Sequence, residues 1–350
     1  MASISQIRGA LLEEAVLYLL GKYGYQTIEC NSSINEEGLR QGHSGMEVRG
    51  RGSWHQIDAL AGLRPSPVFM YPLRLMVEAK CYKRTRPVGI EVVRNAVGVL
   101  KDISENYFSV TRSGSSIQAP RFNYHTAIFS TSGYTNGAID YAIAQQAFLI
   151  QYHNIPVIEP LIEAIMSFDE SCVTALGKRS IQEVRERYRS AIKERIYSND
   201  TSEFITQKGS DLIDNSLATT LTNIRGSYFG MLQGRWPLHL LMREELHPYA
   251  FESDVVNCHV SGYESGEWKF TPAALQSTDD GWFELEFNLP AEIAKLVKDN
   301  WGDRVAVANI KQQHFSYIDL TGIIGGIYRS VRLNLDQDWI NRYIERVRIT

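Results

Sequence analysis

In Leu73-Arg74-Leu75-Met76-Val77-Glu78-Ala79-Lys80, an apolar run broken by one arginine ends in a carboxylate and an amine. Such a run reads as a buried β-strand. Alternate residues of a strand share a face, so Glu78 and Lys80 project to one side while Val77 and Ala79 project to the other. Asp58 lies twenty positions upstream, inside Trp54-His55-Gln56-Ile57-Asp58-Ala59-Leu60, which also reads as a strand. An Asp on a neighbouring strand completes a set of two carboxylates and one ammonium. Oxygen ligands of this kind suit a hard divalent cation, and the amine suits charge developing on a phosphate. Acidic and basic residues two apart on a strand are more often a solvated outer face, so the surroundings of the set carry the decision.

The 350 residues are 44% hydrophobic and 22% charged. That is ordinary for a globular chain, and the length suffices for two or three domains. No apolar stretch approaches the roughly 18 to 20 residues of a membrane span. Leu11 to Leu20 is interrupted by Glu13 and Glu14 and does not read as a signal peptide. The four cysteines Cys30, Cys81, Cys172 and Cys258 are scattered, which argues against a zinc ribbon or a disulfide framework and predicts a cytoplasmic protein. Residues 1–155 carry 15 basic and 12 acidic side chains of the chain's 36 and 40, leaving 21 and 28 in the remainder. The first half is therefore the better partner for a polyanion.

Leu12, Val16, Leu19 and Leu20 predict an amphipathic helix over 6–23, ended by Gly24. Short strands are expected at 26–30, 54–60, 73–81, 124–130 and 147–151. Helices are expected at 89–103 and after Thr131-Ser132-Gly133-Tyr134, with loops over 31–43 and 111–123. Alternation of this kind predicts a mixed sheet with helices on both faces. Residues 158–225 read as mainly helical, with Ser180-Ile181-Gln182-Glu183 as a capping box before the stripe Ile181, Val184, Tyr188, Ile192 and Ile196. Beyond 226, strands are expected at 255–263, 282–289, 305–318 and 331–335, and helices at 291–299 and 339–347, which together read as an α+β or barrel-like module. Gly322-Ile-Ile-Gly325-Gly326 lacks the Lys-Ser/Thr of a phosphate loop and reads as a turn. His43, His125 and His153 have no metal-ligand spacing.

Hydrolysis of a phosphodiester needs an activated water and neutralised charge on the phosphate. Asp58 and Glu78 would hold the metal, the backbone carbonyl of Ala79 could add a ligand, and Lys80 would stand beside the water or a phosphate oxygen. Glu13, on the first helix, could contribute a further carboxylate. Arg49, Arg51, Lys83, Arg84, Arg86 and Arg94 are candidate phosphate contacts, each with a solvated surface or an ion pair as the alternative. Gln56 would share the strand face of Asp58, and His55 would point away from it into packing.

These residues resemble the PD-(D/E)xK nucleases, and within them the Mrr-like restriction endonuclease family. Gly9-x-x-x-Glu13 with Leu19-Leu20 and Gly24-Tyr25 resembles the family's first helix. Asp58 with Glu78-x-Lys80 resembles its catalytic core. Val88-Gly-Ile-Glu-Val-Val-Arg94 and Thr131-Ser-Gly-Tyr-Thr135, followed by Ala138 and Tyr141-Ala142, resemble its later helix openings. The likeness covers about residues 5–155. It departs at Arg49-Gly-Arg-Gly-Ser-Trp-His-Gln56, which is basic and aromatic where the family often has an acidic, glycine-rich turn.

The resemblance implies an α/β class: a restriction-endonuclease-like mixed sheet flanked by helices, followed by a helical segment and a C-terminal α+β module. The expected divisions are 1–157, 158–225 and 226–350. It also implies a Mg²⁺-dependent DNA endonuclease, with Mn²⁺ as a substitute, serving restriction or anti-phage defence. Cutting both strands is simplest with two sites, so a homodimer is expected, although no residue requires one. The C-terminal half would read a target or receive a partner subunit or activator. A nucleic-acid-binding scaffold on the same fold is the competing reading, against which the intact Asp58, Glu78 and Lys80 speak. A nuclease for RNA or branched DNA would use the same residues.

Overall fold

The computed structural model describes residues 3–28, 38–42, 45–63, 69–112, 114–194, 203–262 and 267–349. The chain forms two compact units, one of residues 1–151 and 161–219, the other of 152–160 and 220–350. The expected helical division 158–225 is therefore not a separate body. Most of it belongs to the first unit.

In the first unit, α1 (Ile4–Tyr23) is apolar on nearly every side, and Ile7, Leu11, Leu12, Val16, Leu19 and Leu20 are fully buried. It ends at Gly24, whose φ of 117° is left-handed and suits a residue without Cβ. The chain continues through β1 (Tyr25–Thr27), β2 (Leu39–Gln41), β3 (Met46–Arg49), β4 (Trp54–Gln56), β5 (Ala59–Leu63) and β6 (Leu73–Lys80). Next come α2 (Ile90–Ser104), β7 (Ser109–Arg112), β8 (Ser115–Gln118), β9 (Asn123–Ser130), α3 (Asn136–Gln145) and β10 (Phe148–Gln151). The helices α4 (Glu159–Ser167), α5 (Lys178–Glu194), α6 (Gln207–Asp211) and α7 (Thr219–Thr222) follow, with a wide-turned π segment over Leu212–Ala218.

The central sheet runs β1-β5-β6-β9-β10. Its β1, β5 and β6 are antiparallel, whereas β6, β9 and β10 are parallel. A mixed α/β unit results, as the alternation of patterns predicts. β2, β3 and β4 form a separate small sheet. The single strand expected over 54–60 is thus two strands in two sheets, broken at Ile57 and Asp58. Gln56 accordingly does not share a strand with Asp58. The expected 111–123 loop holds part of the β7–β8 hairpin. Cys30, His43 and most of the 31–43 loop lie outside the described residues.

Ser180 is not the N-cap of α5. The helix begins at Lys178, and the Ser180 hydroxyl bonds back to both backbone groups of Gly177. Val184 and Tyr188 of the expected stripe are fully buried. Near α6 the backbone comes so close that a Cβ on Gly209 would lie 2.1 Å from the Cys172 carbonyl oxygen and 2.9 Å from Ile205. Backbone cannot yield as a flexible side chain can, so Gly209→Ala is expected to cost about 2 kcal/mol or more in chemical denaturation. An unchanged midpoint would contradict this packing.

The second unit is a closed barrel in the order β11 (Gly226–Leu232), β12 (Trp236–Met242), β15 (Leu285–Asn288), β14 (Glu267–Pro272), β13 (Val255–Gly262), β17 (Ile327–Leu335) and β16 (Tyr317–Ile324). The helices α8 (Ala291–Asp299), α9 (Arg304–His314) and α10 (Gln337–Ile349) accompany it. Trp268, Phe270, Phe287 and Phe315 fill its core. The strand expected over 305–318 is mostly α9, because the Asp303 carboxylate caps the backbone N–H groups of Val305 and Ala306 and starts a helix there. Gly325 and Gly326, both left-handed, make the β16–β17 turn. Among the described residues no helix is long and apolar enough to cross a membrane.

Candidate active site

The β5–β6 ladder sets Ala59 opposite Val77. Continuing that register by one residue places Asp58 across from Glu78. Because β4 has ended and β5 has not begun, Asp58 sits in a bend at the mouth of the sheet. β6 runs on past its last β5 partner, and Glu78, Ala79 and Lys80 pair with Ile128, Phe129 and Ser130 of β9. Alternation puts Glu78 and Lys80 on the face of Met76, which packs with Val48, Ile57, Leu60 and Ile103. Ala79 faces the other way and is buried.

The Lys80 ammonium bonds to Glu78 Oε1 and stands 3.8 Å from Asp58 Oδ2. The side chains of Asp58, Glu78 and Lys80 retain 30%, 26% and 20% of their exposure, so the group is shielded yet reachable. Burial pushes the Asp58 carboxyl up to about 7, and the negative charges of Glu13 and Glu78 push the same way against Lys80. Burial draws the Lys80 amine down, but Glu78 and Asp58 outweigh it and hold the amine above its usual value. Lys80 is therefore a fixed positive charge near neutral pH.

Glu13 reaches this cluster from α1. Burial raises its pKa, the Arg185 guanidinium opposes that, and the charge of Lys80 acts on it too. Arg185, on α5, bonds to Glu13 and stands 3.0 Å from Glu14, while Arg189 also grips Glu14 at 2.8 Å. Sequence reasoning missed Arg185. The available signal was Glu13-Glu14 itself, since two adjacent carboxylates within a buried leucine-rich helix require cations from elsewhere in the fold. The far end of β6 is fastened by Thr131, whose N–H donates to the Lys80 carbonyl at 3.2 Å and whose hydroxyl donates to the Tyr82 carbonyl at 2.8 Å.

The candidate phosphate contacts are dispersed. Arg49 lies over the Phe108 ring at 4.4 Å. Arg51 pairs with Glu105 at 2.7 Å and Asp102 at 3.8 Å, which makes it a poor free cation. Gln56 is exposed on β4. Lys83, Arg84 and Arg86 are exposed on the turn just after Lys80, with Arg86 over the Tyr82 ring at 4.8 Å. Arg94 is exposed on α2, 5.5 Å from the Tyr141 ring. His55 bonds to Asp102 at 2.6 Å, away from Asp58.

Among the described residues no three His, Cys, Asp or Glu side chains converge tightly enough to form a ready metal cage. Lys80 lies between the two acids and Arg185 holds Glu13, so protein cations balance the carboxylates. The acids are still hard oxygen donors, and burial together with neighbouring negative charge makes Asp58 resist ionisation, the electrostatic condition a divalent cation relieves.

The raised Asp58 pKa makes stability depend on pH. A carboxyl whose folded value exceeds its unfolded value contributes stability below the unfolded value, near 4, and loses it as pH rises through about 7. Asp58→Asn is therefore expected to melt higher than the parent at pH 8 in EDTA, by on the order of 2 kcal/mol after allowing for solvent screening. The gap should narrow as pH falls below 7 and close only near pH 4. A lower melting temperature for the variant at pH 8 would show that Asp58 ionises there without cost.

No family model matches the chain, and no curated protein matches it at a significant level. A search of solved structures returns "Crystal Structure of Protein of Unknown Function AF1548", with a TM-score of 0.34 and 15% identity, covering 60% of this chain and 97% of that one.

Proposed function

We propose that this chain is a metal-dependent phosphodiester hydrolase of the PD-(D/E)xK kind, acting on DNA as an endonuclease of the Mrr-like type. The observation that carries the reading is the Lys80 ammonium bonded to Glu78 and 3.8 Å from Asp58, on one face of a mixed sheet. The antiparallel β5–β6 pair and the parallel β6–β9 pair support a restriction-endonuclease-like sheet with the set at the end of its central strand.

Asp58 and Glu78, with Glu13 behind them, fit Mg²⁺ or Mn²⁺ by donor type. When bound, the cation would supply a Lewis acid that neutralises phosphate charge and lowers the pKa of a water. The chain's own groups do the rest. Lys80, held protonated, offsets charge that grows on the phosphate oxygens in the transition state. Without a cation the buried Asp58 carboxyl keeps its proton up to about pH 7, and beside a bound cation it would lose that proton and stay ionised as a ligand. Arg185 keeps Glu13 in place, and Thr131 fixes the end of β6 that carries Lys80. Lys83, Arg84 and Arg86 follow directly and suit the flanking phosphate backbone. A role in restriction or anti-phage defence, a dimer, and target or activator recognition by the barrel unit extend this reading.

Incubation with supercoiled plasmid, linear duplex, single strands and RNA tests it, using Mg²⁺, Mn²⁺ or EDTA. Metal-dependent nicking of plasmid is expected. Cleavage confined to RNA or to branched DNA would move the substrate class. Salt-sensitive binding without any cleavage would favour a scaffold.

A further inference from the structure

The first unit carries a second feature that the cluster around Lys80 does not use. Val48, Arg49, Tyr107, Phe108, Arg121 and Tyr124 are among the residues lining a shallow groove with a free interior of only about 30 Å³, so a ligand would lie across its rim. Among the described residues its walls hold two arginines and no aspartate or glutamate. Both arginines are laid on rings. Arg49 lies 4.4 Å from Phe108, and Arg121 lies 4.5 Å from Tyr107 and 5.8 Å from Tyr71. Arg121 also donates to the Tyr71 hydroxyl at 3.4 Å. Beneath the wall the buried Arg74 sits 3.3 Å from the Phe122 ring. Two rings beside Arg121 stand out in solvent: Tyr107 is 67% exposed and Tyr71 is 50% exposed.

Exposed rings of this size are not held by packing, and a soluble surface normally avoids clustering them. Guanidinium groups interleaved with aromatic faces are the chemistry that binds unpaired nucleotides: bases stack on rings, and phosphates meet arginine. A paired duplex hides its base faces, so free ring surfaces would gain little from it.

We infer that the rim of this groove, where Arg121 lies against the exposed rings of Tyr107 and Tyr71, binds an unpaired nucleotide of single-stranded nucleic acid. Tyr124 pairs with Arg74 at the start of β6, and alternation puts it on the same sheet face as Glu78 and Lys80. The four residues from Arg74 to Glu78 span roughly 13 Å at about 3.3 Å each. A strand held here therefore lies a few nucleotides from the Lys80 site. That the bound strand is also the substrate rests on the proposed hydrolase; the binding itself does not.

Fluorescence anisotropy in EDTA tests the inference without cleavage, using a labelled oligothymidylate of about twelve nucleotides, within the usual span of such sites. The parent protein should bind it more tightly than a blunt hairpin duplex. Tyr107→Ala/Arg121→Ala should weaken that binding by about ten-fold or more, the loss expected for one stacked base and one phosphate contact. Tyr107→Ser alone should weaken it about five-fold, and because Tyr107 is 67% exposed this variant decides the matter if the double variant fails to fold. No binding of the single strand, preference for the duplex, or unchanged affinity in folded variants would overturn the inference. Plasmid nicking alongside unchanged single-strand affinity would sink this site and leave the hydrolase standing. Lost affinity in the variants without nicking by the parent would do the reverse.

Discussion

Lys80→Ala is expected to lower metal-dependent plasmid nicking by about 10²- to 10³-fold, the usual loss when one group that stabilises transition-state charge is removed. The physical reason is the position of the ammonium, bonded to Glu78 and close to Asp58 on the open end of β6. The same change has a second, separable consequence. Without the amine, Asp58 and Glu78 face each other unbalanced, and their repulsion grows as Asp58 ionises. The variant should melt below the parent at pH 8 in EDTA, and Mg²⁺ should stabilise it by more than it stabilises the parent, because the internal competitor is gone. Nicking rates and melting curves on the same samples separate the two effects. Retained cutting would remove Lys80 from the mechanism, and an absent Mg²⁺ response would remove the cation.

Arg185→Met carries the largest expected cost in stability. Glu13 and Glu14 are 7% and 4% exposed, and Arg185 contacts both. Removing one partner of a buried ion pair leaves an uncompensated charge and typically costs about 3–5 kcal/mol. For a unit of this size that corresponds to a fall of roughly 10 °C in melting temperature. The loss should shrink at low pH, since Glu13, whose pKa burial already raises, can then protonate. Glu13→Gln added to Arg185→Met should recover much of the loss, whereas Glu13→Gln should not restore nicking. A fall of under about 2 °C at neutral pH would mean the carboxylates find other partners.

Local patterns show well in this sequence where one physical cause dominates. The apolar 73–80 run and the Gly24 stop depend on burial and backbone sterics and appear as read, whereas the first helix forms where expected but is buried on nearly every side instead of being amphipathic. The trio Asp58, Glu78 and Lys80 was legible because strand alternation fixes which side chains share a face. The break at Ile57–Asp58 was not, because Trp54-His-Gln and Ala59-Leu have the same local character, and only long-range pairing assigns them to different sheets. Arg185 was hidden for a related reason: it lies 172 positions from Glu13, and nothing in α5 alone names its partner. In the second unit, Val305 and Val307 suggest a strand by composition, yet the Asp303 cap makes the segment a helix. The barrel-like alternative for the second unit was legible in its run of short strands, but closure and strand order depend on pairings among distant strands that the separate segments do not reveal.

A crystal of the protein soaked with Mn²⁺ at pH 8 and measured for anomalous scattering tests the central claim most directly. The account predicts one strong peak within bonding distance of Asp58 and Glu78 carboxylate oxygens, with the Lys80 amine moved aside, and no such peak in Asp58→Asn. A peak bound elsewhere, or a Lys80 ammonium still seated between the two acids with no ion beside it, would contradict it.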